Sequence, residues 1–125
     1  MARILVIEDN AANMKLATLL LLHAQHTVSC AADAETGLTM ARTESPELIL
    51  MDIQLPGMDG LAATALLKQH SGTAHIPVIA LTAMAMKHDG KKCTAAGCDA
   101  YIAKPLRYQD LYRAIDALLA VREIP

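Results

Sequence analysis

The chain has 125 residues, 54% of them apolar and 19% charged, with a formal charge of −2 at neutral pH. That is the length of one domain, 1–125, whose core is large enough to dispense with disulfide or metal staples, and it leaves no room for a second. Scattered, nearly balanced charge excludes the basic stripe that direct nucleic-acid binding demands, and the apolar run LATLLLLHA is shorter than the roughly 20 residues a bilayer span needs.

Residues 4–7 are a continuous apolar run, RILVI in context, as expected of a strand buried on both faces. Asn10 then caps a helix with Met14, Ala17, Leu20, Leu21 and Ala24 inward, and TVSCA makes a second strand. Asp33 caps the next helix, with Ala34, Leu38 and Ala41 facing the core; Ser45-Pro46 separates it from the strand LILMD. The loop QLPGMDG leads into a helix ending near His70, and IPVIAL is the fourth strand. A weaker helix is expected over 83–97, because Gly90 costs about 1 kcal/mol against alanine and His88, Lys91 and Lys92 crowd positive charge. Residues 99–103 form the fifth strand, and a helix over 107–121 turns Leu111, Ile115, Leu118 and Leu119 inward.

Regular βα alternation predicts an α/β fold, a parallel five-stranded sheet covered by helices on both faces. We assign the flavodoxin-like (βα)5 sandwich with strand order 2-1-3-4-5, whose crevice opens between the first and third strands. Four apolar runs end in residues that can do chemistry: Glu8 and Asp9, Asp52, Thr82 and Lys104. In a parallel sheet those carboxyl ends converge on one edge. Three crowded carboxylates need a cation or protons, and a hard divalent ion such as magnesium suits oxygen ligands with room left for a phosphate. Asp52 is then the candidate nucleophile toward phosphorus. Glu8 and Asp9 hold the metal, while Lys104 and Thr82 offer an ammonium and a hydroxyl to phosphoryl oxygens.

These residues resemble the receiver domain of bacterial two-component response regulators. The likeness runs through IED at the first strand end, MDIQLPGMDG around Asp52, ALTA around Thr82 and YIAKP around Lys104, and covers essentially the whole chain. The resemblance implies that Asp52 is phosphorylated by a histidine kinase or histidine phosphotransfer protein. Magnesium (or manganese) would be held by Asp9, Asp52 and the backbone carbonyl of Gln54, with Glu8 acting through water. The family often has aspartate where Glu8 stands. It further implies a cis bond before Pro105, and a switch in which Thr82 moves toward the phosphoryl group and Tyr101 turns inward. That switch alters docking of a downstream protein on the face of helix 4, strand 5 and helix 5. Met84 and Gln54 would border the path of hydrolytic water, Met84 shielding the site. The wording is similar to single-domain receivers of the DivK type and to receivers attached to hybrid kinases. We expect a stand-alone cytoplasmic regulator, a monomer or a weak phosphorylation-dependent dimer, with no nucleic acid and no membrane among its partners.

Plainer readings stand beside these. Tyr101, Tyr108 and Tyr112 can be packing residues, and Met84 and Met86 loop packing. His23, His26, His70, His75 and His88 share no short spacing and read as surface groups. Cys30, Cys93 and Cys98 lack a CxxC pair and read as reduced, buried, small apolar groups without zinc. The start MARILVIED has no cleavable leader pattern. An aspartate-nucleophile phosphatase is the enzyme alternative, but it typically carries a second acid where Gln54 stands. A flavodoxin-like electron carrier would want flavin-stacking aromatics, and the chain has three Tyr and no Trp or Phe. A degenerate receiver acting only by protein binding is disfavoured by the presence of all five chemical positions.

Overall fold

The computed structural model describes residues 2–83 and 87–123. Strands and helices alternate: β1 (Arg3–Ile7), α1 (Ala11–His23), β2 (Thr27–Ala31), α2 (Ala34–Glu44), β3 (Leu48–Asp52), α3 (Gly60–Gln69), β4 (Val78–Thr82), α4 (Lys87–Ala96), β5 (Ala100–Ala103) and α5 (Tyr108–Glu123). All strand pairs are parallel and the sheet order is β2-β1-β3-β4-β5. This is the predicted order, with β1 beside β3 at the centre.

Alternate residues of a strand face opposite sides of the sheet, so each central strand feeds two cores. Leu5, Ile7, Ile49, Met51 and Val78 pack with Leu38 and Ala41 of α2 and Ala63 and Leu67 of α3. Ile4, Val6, Leu48, Leu50, Ile79 and Leu81 pack with Ala17 and Leu21 of α1 and Leu111 and Ile115 of α5. Every residue of β3 and β4 is buried, which is why those runs read as unbroken apolar segments.

The caps follow from side chains that can replace the missing helical acceptors. Asn10 accepts from the Asn13 N–H, Asp33 from Thr36, and Asp59 from Ala62. Gly97 takes φ +104° beyond α4, allowing Cys98 N–H to donate to the Cys93 carbonyl at 2.9 Å and Gly97 N–H to Thr94 at 3.0 Å. That pairing satisfies carbonyls the helix end would otherwise orphan.

Several boundaries and faces differ from expectation. β4 starts at Val78, two residues after Ile76, because Pro77 has no N–H to donate; its carbonyl still accepts from Ile49 at 2.9 Å. β5 starts after Asp99, whose carboxylate accepts the Val78 N–H at 2.8 Å. The helix expected over 83–97 is α4 from Lys87 to Ala96, and Met84 and Met86 lie outside the described residues. In α1, Ala17 and Leu21 are buried and Met14 and Leu20 pack against the core, but Ala24 is the C-cap. Leu16, Leu19 and Leu22 are exposed. Cys93 is buried as expected, whereas Cys98 is half-buried and Cys30 is exposed, since β2 is an edge strand with thin cover. His26 is not a free surface group. It is half-buried, its Nδ1 accepts the Ala2 N–H at 3.1 Å, and burial chiefly lowers its pKa. Among the described residues no helix is long and apolar enough to cross a membrane.

Candidate functional site

Backbone pairing brings the strand ends together. Glu8 N–H donates to Ala31 at 3.0 Å, and Lys104 N–H donates to the Thr82 carbonyl at 2.7 Å, so the ladder carries each chain one residue past its strand into the site. Glu8, Asp52 and Thr82 are buried at 2%, 3% and 2% exposure, while Asp9 is exposed. Only a fold that pairs β1 with β3 puts Glu8 and Asp52 side by side.

One carboxylate oxygen from each of Glu8, Asp9 and Asp52 lies within 4.8 Å of the others. Lys104 Nζ sits 3.2 Å from Asp52 Oδ2 and 3.4 Å from Glu8 Oε2. The second oxygen of Asp52, Oδ1, accepts the Gln54 N–H at 3.0 Å, and Glu8 Oε1 accepts from Asn13 Nδ2 at 3.2 Å. Burial, and then hydrogen bonding and repulsion with Asp52, hold the Glu8 carboxyl above its ordinary range; the Asn13 hydrogen bond and the Lys104 charge oppose this. One ammonium is thus shared by two buried carboxylates, with a third carboxylate at the mouth. The donor set is all oxygen, one ligand is open to water, and the negative charge exceeds what Lys104 neutralises. These residues fit a hard divalent cation that keeps several waters.

The remaining predicted residues fall around this cluster. Gln54 is exposed beside Asp52 and holds it through the backbone N–H. Tyr101, on β5, pairs in register with Ala80 of β4 and is 49% exposed. The Lys104–Pro105 peptide is cis. Met84 lies outside the described residues.

Two residues of the site went unnoticed in the sequence. Gly60 opens α3 so close to β3 that a Cβ there would overlap the Asp52 carbonyl oxygen and stand 2.6 Å from Ile53 Cα. Its N–H donates to Ile53 at 3.1 Å, closing the loop that carries Asp52. The signal was the second glycine of QLPGMDG, which reads as a generic turn until the approach of α3 is seen. Asn13 is the other; it looks like an ordinary first-turn polar residue until β1 places Glu8 beside it.

Residues 4–116 match the family model of the response regulator receiver domain. The chain belongs to that family. It is a receiver of two-component signalling, with a phosphoacceptor role. Over 116 residues this receiver is 40% identical to the polar-differentiation response regulator DivK of Brucella anthropi, a match covering 93% of this chain and 94% of the relative. It is 42% identical over 117 residues to hybrid signal transduction histidine kinase G of Dictyostelium discoideum, covering 91% of this chain but only 3% of that kinase. The receiver domain of a sensor histidine kinase from Pseudomonas aeruginosa PAO1, solved with a magnesium ion coordinated in its active-site cleft, is 32% identical with a TM-score of 0.89, covering 95% of this chain and 98% of that one.

Proposed function

We propose that the chain, read as a single receiver domain over 1–125, is a phosphorelay switch in which Asp52 takes a phosphoryl group from a histidine kinase or histidine phosphotransfer protein. The observation that carries this is the buried Asp52 carboxylate within 4.8 Å of two other carboxylates and 3.2 Å from Lys104. A carboxylate oxygen of Asp52 forms the new bond to phosphorus as the donor's P–N bond breaks, and the electron pair leaves with the imidazole nitrogen. Magnesium, or manganese in its place, would supply charge neutralisation between the carboxylates and the phosphoryl oxygens, held by Asp9, Asp52 and the Gln54 carbonyl, with Glu8 reaching it through water.

The chain's own residues do the rest. Lys104, already drawn to Asp52, follows the charge onto a phosphoryl oxygen, and the buried Thr82 hydroxyl bonds another. The new group carries nearly two negative charges, which reorder these contacts. Movement of Thr82 leaves space behind it for Tyr101, whose exposed ring then turns inward. The face this alters includes a shallow groove of about 330 Å³ lined by Tyr101, Asp110, Arg113, Ala114 and Ala117, which supports docking of a downstream protein on α4, β5 and α5. The Gln54 side chain supplies no second acid, which favours a switch over a turnover phosphatase. We place the receiver in the cytoplasm, as a monomer or a weak phosphorylation-dependent dimer.

Incubation with acetyl phosphate and magnesium followed by intact mass tests the reading. The expected result is one added phosphoryl group, absent in Asp52→Asn. No adduct, or one that survives Asp52→Asn, defeats it.

A further inference from the structure

Glutamate carries one methylene more than aspartate, and therefore one more side-chain torsion to be fixed before its carboxylate faces a ligand. At Glu8 that extra reach ends in a contact from outside the strand-end cluster. Asn13, on α1, donates its Nδ2 to Glu8 Oε1 at 3.2 Å, while Lys104 Nζ lies 3.5 Å from the same oxygen and 3.4 Å from Oε2. Lys104 also binds Asp52, so alone it would draw Glu8 toward that carboxylate. The amide brings no charge of its own and grips Glu8 from another element.

Asn13 is itself well fixed. It is the third residue of α1, and its backbone N–H donates to the Asn10 cap at 2.9 Å. In a capping box the side chain at this position turns back to the cap's own N–H; here it reaches Glu8 instead. We propose that Asn13 is a positioning residue for Glu8, holding the longer carboxylate in the orientation that faces the metal. A residue that orients a metal-facing group is half of such a site's design. The proposal rests on the reading that magnesium is held by Asp9, Asp52 and the Gln54 carbonyl, with Glu8 reaching it through water.

The test is the dissociation constant of magnesium, titrated as its chloride by calorimetry, for wild type, Asn13→Ala, Glu8→Asp and the double variant. Asn13→Ala is expected to weaken binding about tenfold, the lower end for loss of such support. The thermal midpoint without metal should shift by only about a few degrees, because alanine's higher helix propensity offsets part of the hydrogen bond lost to Glu8. Glu8→Asp withdraws the carboxylate from Asn13 by a methylene, so in that background the same substitution should change affinity less than about twofold, the sign of a direct coupling. Unchanged affinity in Asn13→Ala, with wild type binding magnesium, overturns the proposal. Equal loss in both backgrounds also overturns it, since Asn13 would then not act through Glu8. A wild-type protein that binds no magnesium refutes the functional reading itself, and the two failures are told apart by the wild-type titration alone.

Discussion

The two edges of one sheet treat charge in opposite ways. At the amino edge Lys68, Asp99 and Arg3 have partners: Lys68 Nζ donates to Asp99 at 2.9 Å and to the Ile76 and Ala74 carbonyls at 2.8 and 3.3 Å, and Asp99 also accepts the Val78 N–H at 2.8 Å. Arg3 Nη1 donates to the Glu44 carbonyl at 2.8 Å, and Arg3 Nε lies 3.6 Å from Glu47. At the carboxyl edge two buried carboxylates share Lys104 while Asp9 stands beside them. The amino edge is arranged for stability; the carboxyl edge crowds negative charge of the kind that a bound cation relieves. The same backbone serves both, because parallel strands gather their ends at two separate places.

The strongest way to break this contrast is at the scaffold of the carboxyl edge. Gly60→Val forces a side chain into the Asp52 backbone and is expected to cost about 4 kcal/mol or more in urea unfolding, among the largest single-residue effects. A near-neutral result would mean that α3 can withdraw without disturbing Asp52. Lys68→Ala at the amino edge removes the donor to two carbonyls and leaves Asp99 only the Val78 N–H; it should lower stability by about 1 to 2 kcal/mol while leaving phosphoryl uptake from acetyl phosphate intact. Loss of uptake in a folded Lys68→Ala protein would show that the edges are coupled.

Glu8→Gln is expected to move stability the other way. The folded chain holds the Glu8 carboxyl above its ordinary 4.5, so it binds the extra proton and Glu8 contributes stability below that pH, a contribution lost as pH rises through the raised value. At neutral pH, without metal, Glu8→Gln should therefore melt a few degrees higher than wild type, with the gap closing as the pH falls toward 4.5. A lower neutral-pH midpoint would mean that the carboxyl edge is not strained. The smallest effect is expected for Arg3→Ala, whose pair with Glu47 is solvent-exposed, at about 0.5 kcal/mol by chemical denaturation. A much larger loss would show the amino edge to be more tightly organised than its exposure implies.

How much of this was legible beforehand depended on the range of the signal. The runs at 4–7 and 48–52 announced buried strands because strands covered on both faces have no polar alternation to obscure them. Asn10 and Asp33 announced helix starts because a cap acts on residues two or three positions away. α1 was readable too: Met14, Ala17, Leu20 and Leu21 pack inward as their spacing predicts, and only Ala24, at the C-cap, departs. Leu16, Leu19 and Leu22 lie off that spacing and are exposed. Cys30 and His26 were misread because exposure on an edge strand, and a partner 24 positions earlier in the chain at Ala2, are set by neighbours that local pattern does not reveal.

By itself the sequence determined the alternation of elements, the two-sided core of the sheet, and the set of chemical groups at the strand ends, because apolar periodicity and cap chemistry act over a few residues. Tertiary structure alone decided that Glu8, Asp9 and Asp52 share one 4.8 Å cluster with Lys104 against it, that Gly60 must lack a side chain, and that Asn13 reaches Glu8. These are contacts between segments up to 96 positions apart. They exist only after the order β2-β1-β3-β4-β5 has aligned the strand ends, since Coulomb and hydrogen-bond forces act through space and are blind to distance along the chain.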